Sequence, residues 1–153
     1  MSVKVIQDAI DLLYKKKWSR CSKEKAFNML ENVFDDNQLA YIRRGYEQGL
    51  SQVLLELLAD PCFSWQQMMV LSEALRDIPL NKIDYLTNPR LNFQNMSLLA
   101  TGIRKGLSHK QLMILARPGR TIVETKVMLG AFEYGVSPEE IEGFLQRKRS
   151  YYE

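Results

Sequence analysis

Histidine and cysteine are nearly missing from this 153-residue chain, which holds one His and two Cys. A single imidazole excludes a multi-histidine metal site and leaves His109 as the one candidate for histidine-dependent acid–base work. Cys21 and Cys62 have neither zinc-ligand spacing nor the density of a disulfide scaffold. They are expected to be buried thiols in a reducing compartment. No run approaches the ~20 apolar residues of a membrane-spanning helix, and the N-terminus lacks the pattern of a signal peptide. The expectation is a cytoplasmic protein with no membrane partner. A phosphate-binding loop is missing too: no Gly-Lys-Ser/Thr occurs, and Gly102-x-x-x-Gly106 joins two expected helices instead of following a strand. Two acid pairs, Asp35-Asp36 and Glu139-Glu140, fall at expected helix starts, where the helix dipole favours them without any general acid–base role. No catalytic residue, metal or cofactor is therefore expected, and the chain reads as a non-enzyme.

What is present is a repeat. Gly102-Ile103-Arg104-Lys105-Gly106-Leu107-Ser108 closes at Ala116-Arg117-Pro118, and related stretches run from Gly45 through Gly49-Leu50-Ser51 to Ala59-Asp60-Pro61 and from Ala131 to Gly135-Val136-Ser137. A copy without glycines lies at Ala74 to Pro79 and ends at Asn88-Pro89. The three prolines are 28 and 29 residues apart (89 minus 61, 118 minus 89), and Gly135 follows Gly106 by 29. A fixed period of this size marks an array of supersecondary units. The expected fold is all-α, with tandem helix-turn-helix repeats of about 28–29 residues and an N-terminal helical cap. Residues 1–33 form the cap, 34–147 the four-repeat array and 148–153 a frayed tail, all in one domain.

Apolar spacing supports this division. Val3, Ile6, Ala9, Ile10, Leu13 and Tyr14 share one stripe of a first helix, followed by Lys15-Lys16-Lys17 and by Trp18, expected to dock the turn. Ser22 is placed to cap a second helix over about 23–33. Each repeat then reads as a longer helix, a glycine turn and a short helix. Gly49, Gly106 and Gly135 stand where the chain must reverse through a left-handed residue, and Ser51, Ser108 and Ser137 can cap the short helices. Ser64 with Gln67, Asn92, and Thr121 with Glu124 supply start signals for the longer ones. Leu54, Leu57 and Leu58, Ile83 and Leu86, Leu112 and Leu115, and Ile141, Phe144 and Leu145 are expected on the buried faces of the short helices. Met29, Met68, Met96, Met113 and Met128 are expected inward as flexible filling.

Charge is uneven although the net value is only +3. Residues 82–126 carry eight Lys/Arg against two Asp/Glu, giving +6, whereas 34–81 carry three against seven, giving −4. The candidate binding patch is Arg90, Arg104, Lys105, His109, Lys110, Arg117, Arg120 and Lys126. Leu98 to Leu112 also has the glycine turn and serine cap of a helix-turn-helix DNA reader, with His109, Lys110 and Gln111 toward a groove. Against that, the fourth copy places Pro138-Glu139-Glu140 at the same position, where acids repel phosphate.

At Ala59-Asp60-Pro61-Cys62-Phe63-Ser64-Trp65-Gln66-Gln67-Met68, and again at Asn88-Pro89-Arg90-Leu91-Asn92-Phe93-Gln94-Asn95-Met96, the chain resembles short α-helical repeats of anaerobic Gram-positive bacteria and their mobile elements. Those repeats read Ala-Asp-Pro, a Trp and Gln-Met run, and a later Gly-Leu. The resemblance covers about residues 34–145 and is looser in the fourth unit, where Arg120-Thr121-Ile122 replaces the aromatic signature. It implies an all-helical repeat in a mobile-element or phage setting and carries over no catalytic residue. The expected function is a non-enzymatic protein-binding module acting on a larger protein, in concrete form an inhibitor of a host defence nuclease resembling an anti-CRISPR. The alternative is a nucleic-acid-binding regulator using the basic patch of residues 82–126.

Overall fold

The computed structural model describes the backbone of residues 2–15 and 20–152 and the side chains of 3–15 and 21–147. Lys16, Lys17 and Trp18, and with them the expected docking of Trp18, lie outside the described residues. Among those described, the chain is all helical: α1 (Ser2–Leu13), α2 (Arg20–Glu31), α3 (Asp36–Glu47), α4 (Gln52–Leu58), α5 (Trp65–Asp77), α6 (Leu80–Ile83) with a 3₁₀ turn (Asp84–Leu86), α7 (Phe93–Arg104), α8 (His109–Leu115), α9 (Ile122–Glu133) and α10 (Pro138–Tyr152). No helix among the described residues is long and apolar enough to cross a membrane. The chain divides into two compact units, Met1–Arg76 and Asp77–Glu153.

In the first unit α1 packs on α2 and α4, and α3 packs on α2 and α4. Ile10, Leu13, Phe27, Leu30, Ile42, Leu55 and Leu58 are buried there. Two tyrosines tie the end of α1 to α3 and its turn. Tyr14 donates its hydroxyl to Leu50 O at 2.6 Å, and Tyr46 donates to Leu13 O at 3.2 Å, with the two rings edge-on at 5.5 Å. In the second unit α7 packs on α8 and α9, and α8 packs on α9 and α10, burying Met96, Leu99, Ile103, Leu112, Leu115 and Met128.

Three helices end in the same way. After α3, Leu50 N–H donates to Gly45 O at 3.1 Å; after α7, Leu107 N–H donates to Gly102 O at 3.2 Å; after α9, Val136 N–H donates to Ala131 O at 3.0 Å. Each bond spans six residues and needs a left-handed residue inside it, supplied by Gly49, Gly106 and Gly135 at φ +89, +79 and +88. The leucine beyond the turn folds back on its helix. A Cβ added at Gly45 would lie 2.9 Å from Leu50 Cδ1, and one at Gly102 would lie 3.0 Å from Leu107 Cδ1. Next, Ser51, Ser108 and Ser137 accept hydrogen bonds from Leu54, Gln111 and Glu140 N–H, the capping expected of them. Asp35 with Gln38, Ser108 with Gln111 and Thr121 with Glu124 form reciprocal capping boxes. The acids Asp36, Glu139 and Glu140 lie in first turns.

Several expectations fail, each for a local reason. Cys21 and Cys62 are exposed, not buried: Cys21 points away from the Ala26, Phe27 and Leu30 face of α2, and Cys62 sits in the turn that Asp60 organises by accepting its N–H at 2.9 Å. The helix α2 starts at Arg20, so Ser22 lies inside its first turn instead of capping it. Where the second copy lacks a turn glycine, Pro79 starts a single turn, Leu80–Ile83, and not a full short helix. In α4 Leu58 is buried as expected, but its partner in the buried row is Leu55, while the expected Leu54 and Leu57 are half-buried. A two-turn helix has one inward row, so its opposite side faces solvent; Met113 on α8 is 50% exposed while Leu112, Ile114 and Leu115 are buried. Val3 and Phe144 are exposed in the same manner. A fourth left-handed glycine, Gly119 at φ +89, turns the chain after Pro118.

Two measurements follow from these turns. Replacing Gly106 by Ala adds a Cβ with space around it but forces a left-handed L-residue, so urea unfolding should register a loss of roughly 1–2 kcal/mol. For Tyr14, burial first, then the nearby Tyr46 and Glu56, pushes the hydroxyl from 10.0 up to about 12. Because the folded value lies above the unfolded one, its contribution is full below pH 10.0 and fades as pH rises toward about 12. Alkaline unfolding of wild type and Tyr14→Phe, followed by phenolate absorbance, should converge across that window.

Candidate functional site

All eight residues of the candidate patch lie in the second unit. They do not form one basic surface. At the end of α7, Arg104 donates Nε to Asp77 Oδ2 at 2.7 Å and Nη2 to Oδ1 at 3.1 Å, a two-pronged pair. The hydrogen bond from Arg104, reinforced by its charge, holds the Asp77 carboxyl below its ordinary value. Lys105 pairs with Glu133 at the end of α9. Lys110 Nζ lies 3.4 Å from Glu139 Oε1, and Arg117 Nη2 lies 3.7 Å from Glu142 Oε1. The Glu139 carboxyl is also held low, first by its own backbone N–H at the start of α10 and then by Lys110. Four cations of the patch thus meet acids supplied by Asp77, α9 and α10.

The other four are scattered. Arg120 is half-buried and structural: its Nε donates to Ile114 O at 3.0 Å, and its carbonyl accepts from Asn95 Nδ2 at 2.8 Å. Arg90 is exposed in a turn where its N–H donates to Asn88 Oδ1 at 3.0 Å. Lys126 is exposed on the outer face of α9. His109, the first residue of α8, shares a hydrogen bond between its Nδ1 and the hydroxyl of Tyr85 from the 3₁₀ turn.

The structure does bring His109, Lys110 and Arg117 together along one groove. It lies between α8 and α10, has a volume of ≈ 330 Å³, and is lined also by Met113, Ile114, Pro138, Glu139 and Glu142. Paired charges border it, and Met113 contributes an exposed apolar side chain. Among the described residues no three His, Cys, Asp or Glu side chains converge to hold a metal ion. The charge of Asp60 and its hydrogen bond push the Cys62 thiol up, which keeps it protonated and a poor nucleophile.

Sequence reasoning found the cations but missed Asp77, Glu133, Glu139 and Glu142 as their partners. A signal existed. Lys105 with Glu133 and Lys110 with Glu139 are 28 and 29 residues apart, the spacing of the prolines and of Gly106 with Gly135, whereas Asp77 with Arg104 spans 27 and Arg117 with Glu142 spans 25 (142 minus 117).

Because both side chains of the Asp77–Arg104 pair are about half exposed, a double-mutant cycle with Asp77→Asn and Arg104→Met should give a coupling below about 1 kcal/mol. The coupling should shrink in about 1 M salt. The folded Asp77 carboxyl titrates below the unfolded one, so the coupling is present above the ordinary carboxylate range and lost as pH falls through the lowered value; persistence in acid would refute the assignment. Comparison with known proteins finds no matching family model, no similar curated protein and no similar solved structure.

Proposed function

We propose that the chain is a tandem array of helix-turn-helix repeats, with α1 and α2 as its N-terminal cap, working as a non-enzymatic module that binds a larger protein. The repeat reading draws support from three turns closed by the same six-residue hydrogen bond and from two ion pairs, Lys105–Glu133 and Lys110–Glu139, spaced at the repeat length. The observation that carries the functional reading is the pairing of Arg104, Lys105, Lys110 and Arg117 with carboxylates. A surface made to neutralise phosphates keeps its cations free of acids, because binding strength grows with the phosphates contacted. Here the cations are engaged within the chain, and the groove between α8 and α10 presents Met113 between charged borders. Apolar centres with polar rims are the ordinary build of protein interfaces. In the concrete form of this proposal the bound protein belongs to a nucleic-acid-processing complex, and occupancy inhibits a defence nuclease.

Affinity capture from lysate, with and without nuclease and with washes of rising salt, tests the reading. One stoichiometric protein should remain after nuclease treatment and high salt, and Met113→Glu should release it while leaving the helical circular dichroism unchanged. Capture that vanishes with nuclease, together with a steep salt dependence that Arg90→Glu and Lys126→Glu flatten, would replace it with nucleic-acid binding.

A further inference from the structure

We infer that the outer face of α9 is a self-association surface, on which two copies of this chain pair antiparallel about a two-fold axis. The helix buries Thr125, Met128, Leu129 and Phe132 on one side. Its other side is also apolar: Val123 is 70%, Val127 62% and Tyr134, just past the helix end, 93% exposed. A helix apolar on both sides is normally covered on both.

The pattern of this face selects a second copy as the cover. Val123, Val127, Gly130 and Tyr134 are spaced four, three and four residues apart, the alternation of a coiled-coil seam. Run antiparallel against itself, the seam sets Val127 opposite Gly130 of the second copy and Val123 opposite its Tyr134, and symmetry repeats both contacts. Each opposition joins a larger group to a smaller one. A Cβ built at Gly130 meets nothing within 4 Å in its own chain, so the glycine leaves a hollow that Val127 of the second copy fills.

Charge agrees with the same register. Lys126 and Glu133 are exposed and flank the seam on one side. Positions flanking the seam on equivalent sides meet each other in an antiparallel pair, so Lys126 faces Glu133 of the second copy twice per dimer. Lys105 contacts Oε1 of Glu133, and its second oxygen is available for this bond. A parallel pairing would set Gly130 opposite Gly130 and Val127 opposite Val127, leaving the hollow at Gly130 unfilled and Lys126 without an acid across the seam. The face is one helix about 18 Å long, too short to bury the ~800 Å² per partner of a standard interface. Association is therefore expected at roughly 10–100 µM.

Sedimentation of the full 17.8 kDa chain from about 10 µM to 1 mM should show a reversible monomer–dimer equilibrium, which Val127→Glu abolishes without altering circular dichroism. Gly130→Ala should raise the thermal midpoint of dilute monomer, because alanine favours helix, yet weaken the dimer at least tenfold by filling the hollow. Lys126→Glu and Glu133→Lys should each fail to self-associate but form a heterodimer when mixed, since each supplies the charge that the other lacks. A chain that stays monomeric across the range overturns the inference, even if the face later proves to bind another protein. So does a dimer that survives Val127→Glu, or a mixture of the two charge variants that remains monomeric.

Discussion

In the Schellman form of a helix end, one left-handed residue reverses the chain and the residue after it returns its N–H to a carbonyl five positions back. The bonds from Leu50 to Gly45, Leu107 to Gly102 and Val136 to Ala131 take that form, and much else rests on them. They deliver α4 and α8, seven residues each, onto the helices before them. Helices that short do not persist alone in water. The residue at each end of the bond is matched in size: glycine faces leucine twice, and alanine faces the shorter valine once. A Cβ at Gly102 would already touch Leu107, so where the chain carries that Cβ, at Ala131, the side chain folding back is smaller.

Electrostatics follow the turns. Block arithmetic along the chain assigns +6 to residues 82–126, yet Asp77, Glu133, Glu139 and Glu142 lie just outside that block and fold against its cations. Linear charge density therefore overstates the field that a partner meets. Exposed pairs of this kind add little stability; two of them, Lys110–Glu139 and Arg117–Glu142, border the α8–α10 groove. Burial acts separately at Tyr14 and Tyr46, whose hydroxyls satisfy two main-chain carbonyls at the junction of α1 with the α3 turn.

Turns and caps were legible because they depend on a few adjacent residues with strong conformational preferences. Gly49, Gly106 and Gly135 took left-handed angles, and Ser51, Ser108, Asn92 and Thr121 capped as expected. Burial was legible only in part. An inward row is chosen by what lies opposite it, so Leu55 displaced Leu54, Met113 and Phe144 faced outward, and both cysteines were exposed. The candidate patch was legible as a set of cations but not as a set of pairs.

By itself, then, the sequence determined the helical class, the reversals at Gly49, Gly106 and Gly135 and the starts of α4, α7, α8 and α9, since glycine φ freedom and side-chain capping act within about four residues. Tertiary structure alone decided which acids silence which cations, that Arg120 serves as a strut on Ile114 and Asn95, that Tyr85 holds His109, and that α9 keeps an apolar face toward solvent. The ion pairs and the Asn95–Arg120 bond join groups 25 or more residues apart and the Tyr85–His109 bond joins groups 24 apart, and no local preference encodes which distant group arrives.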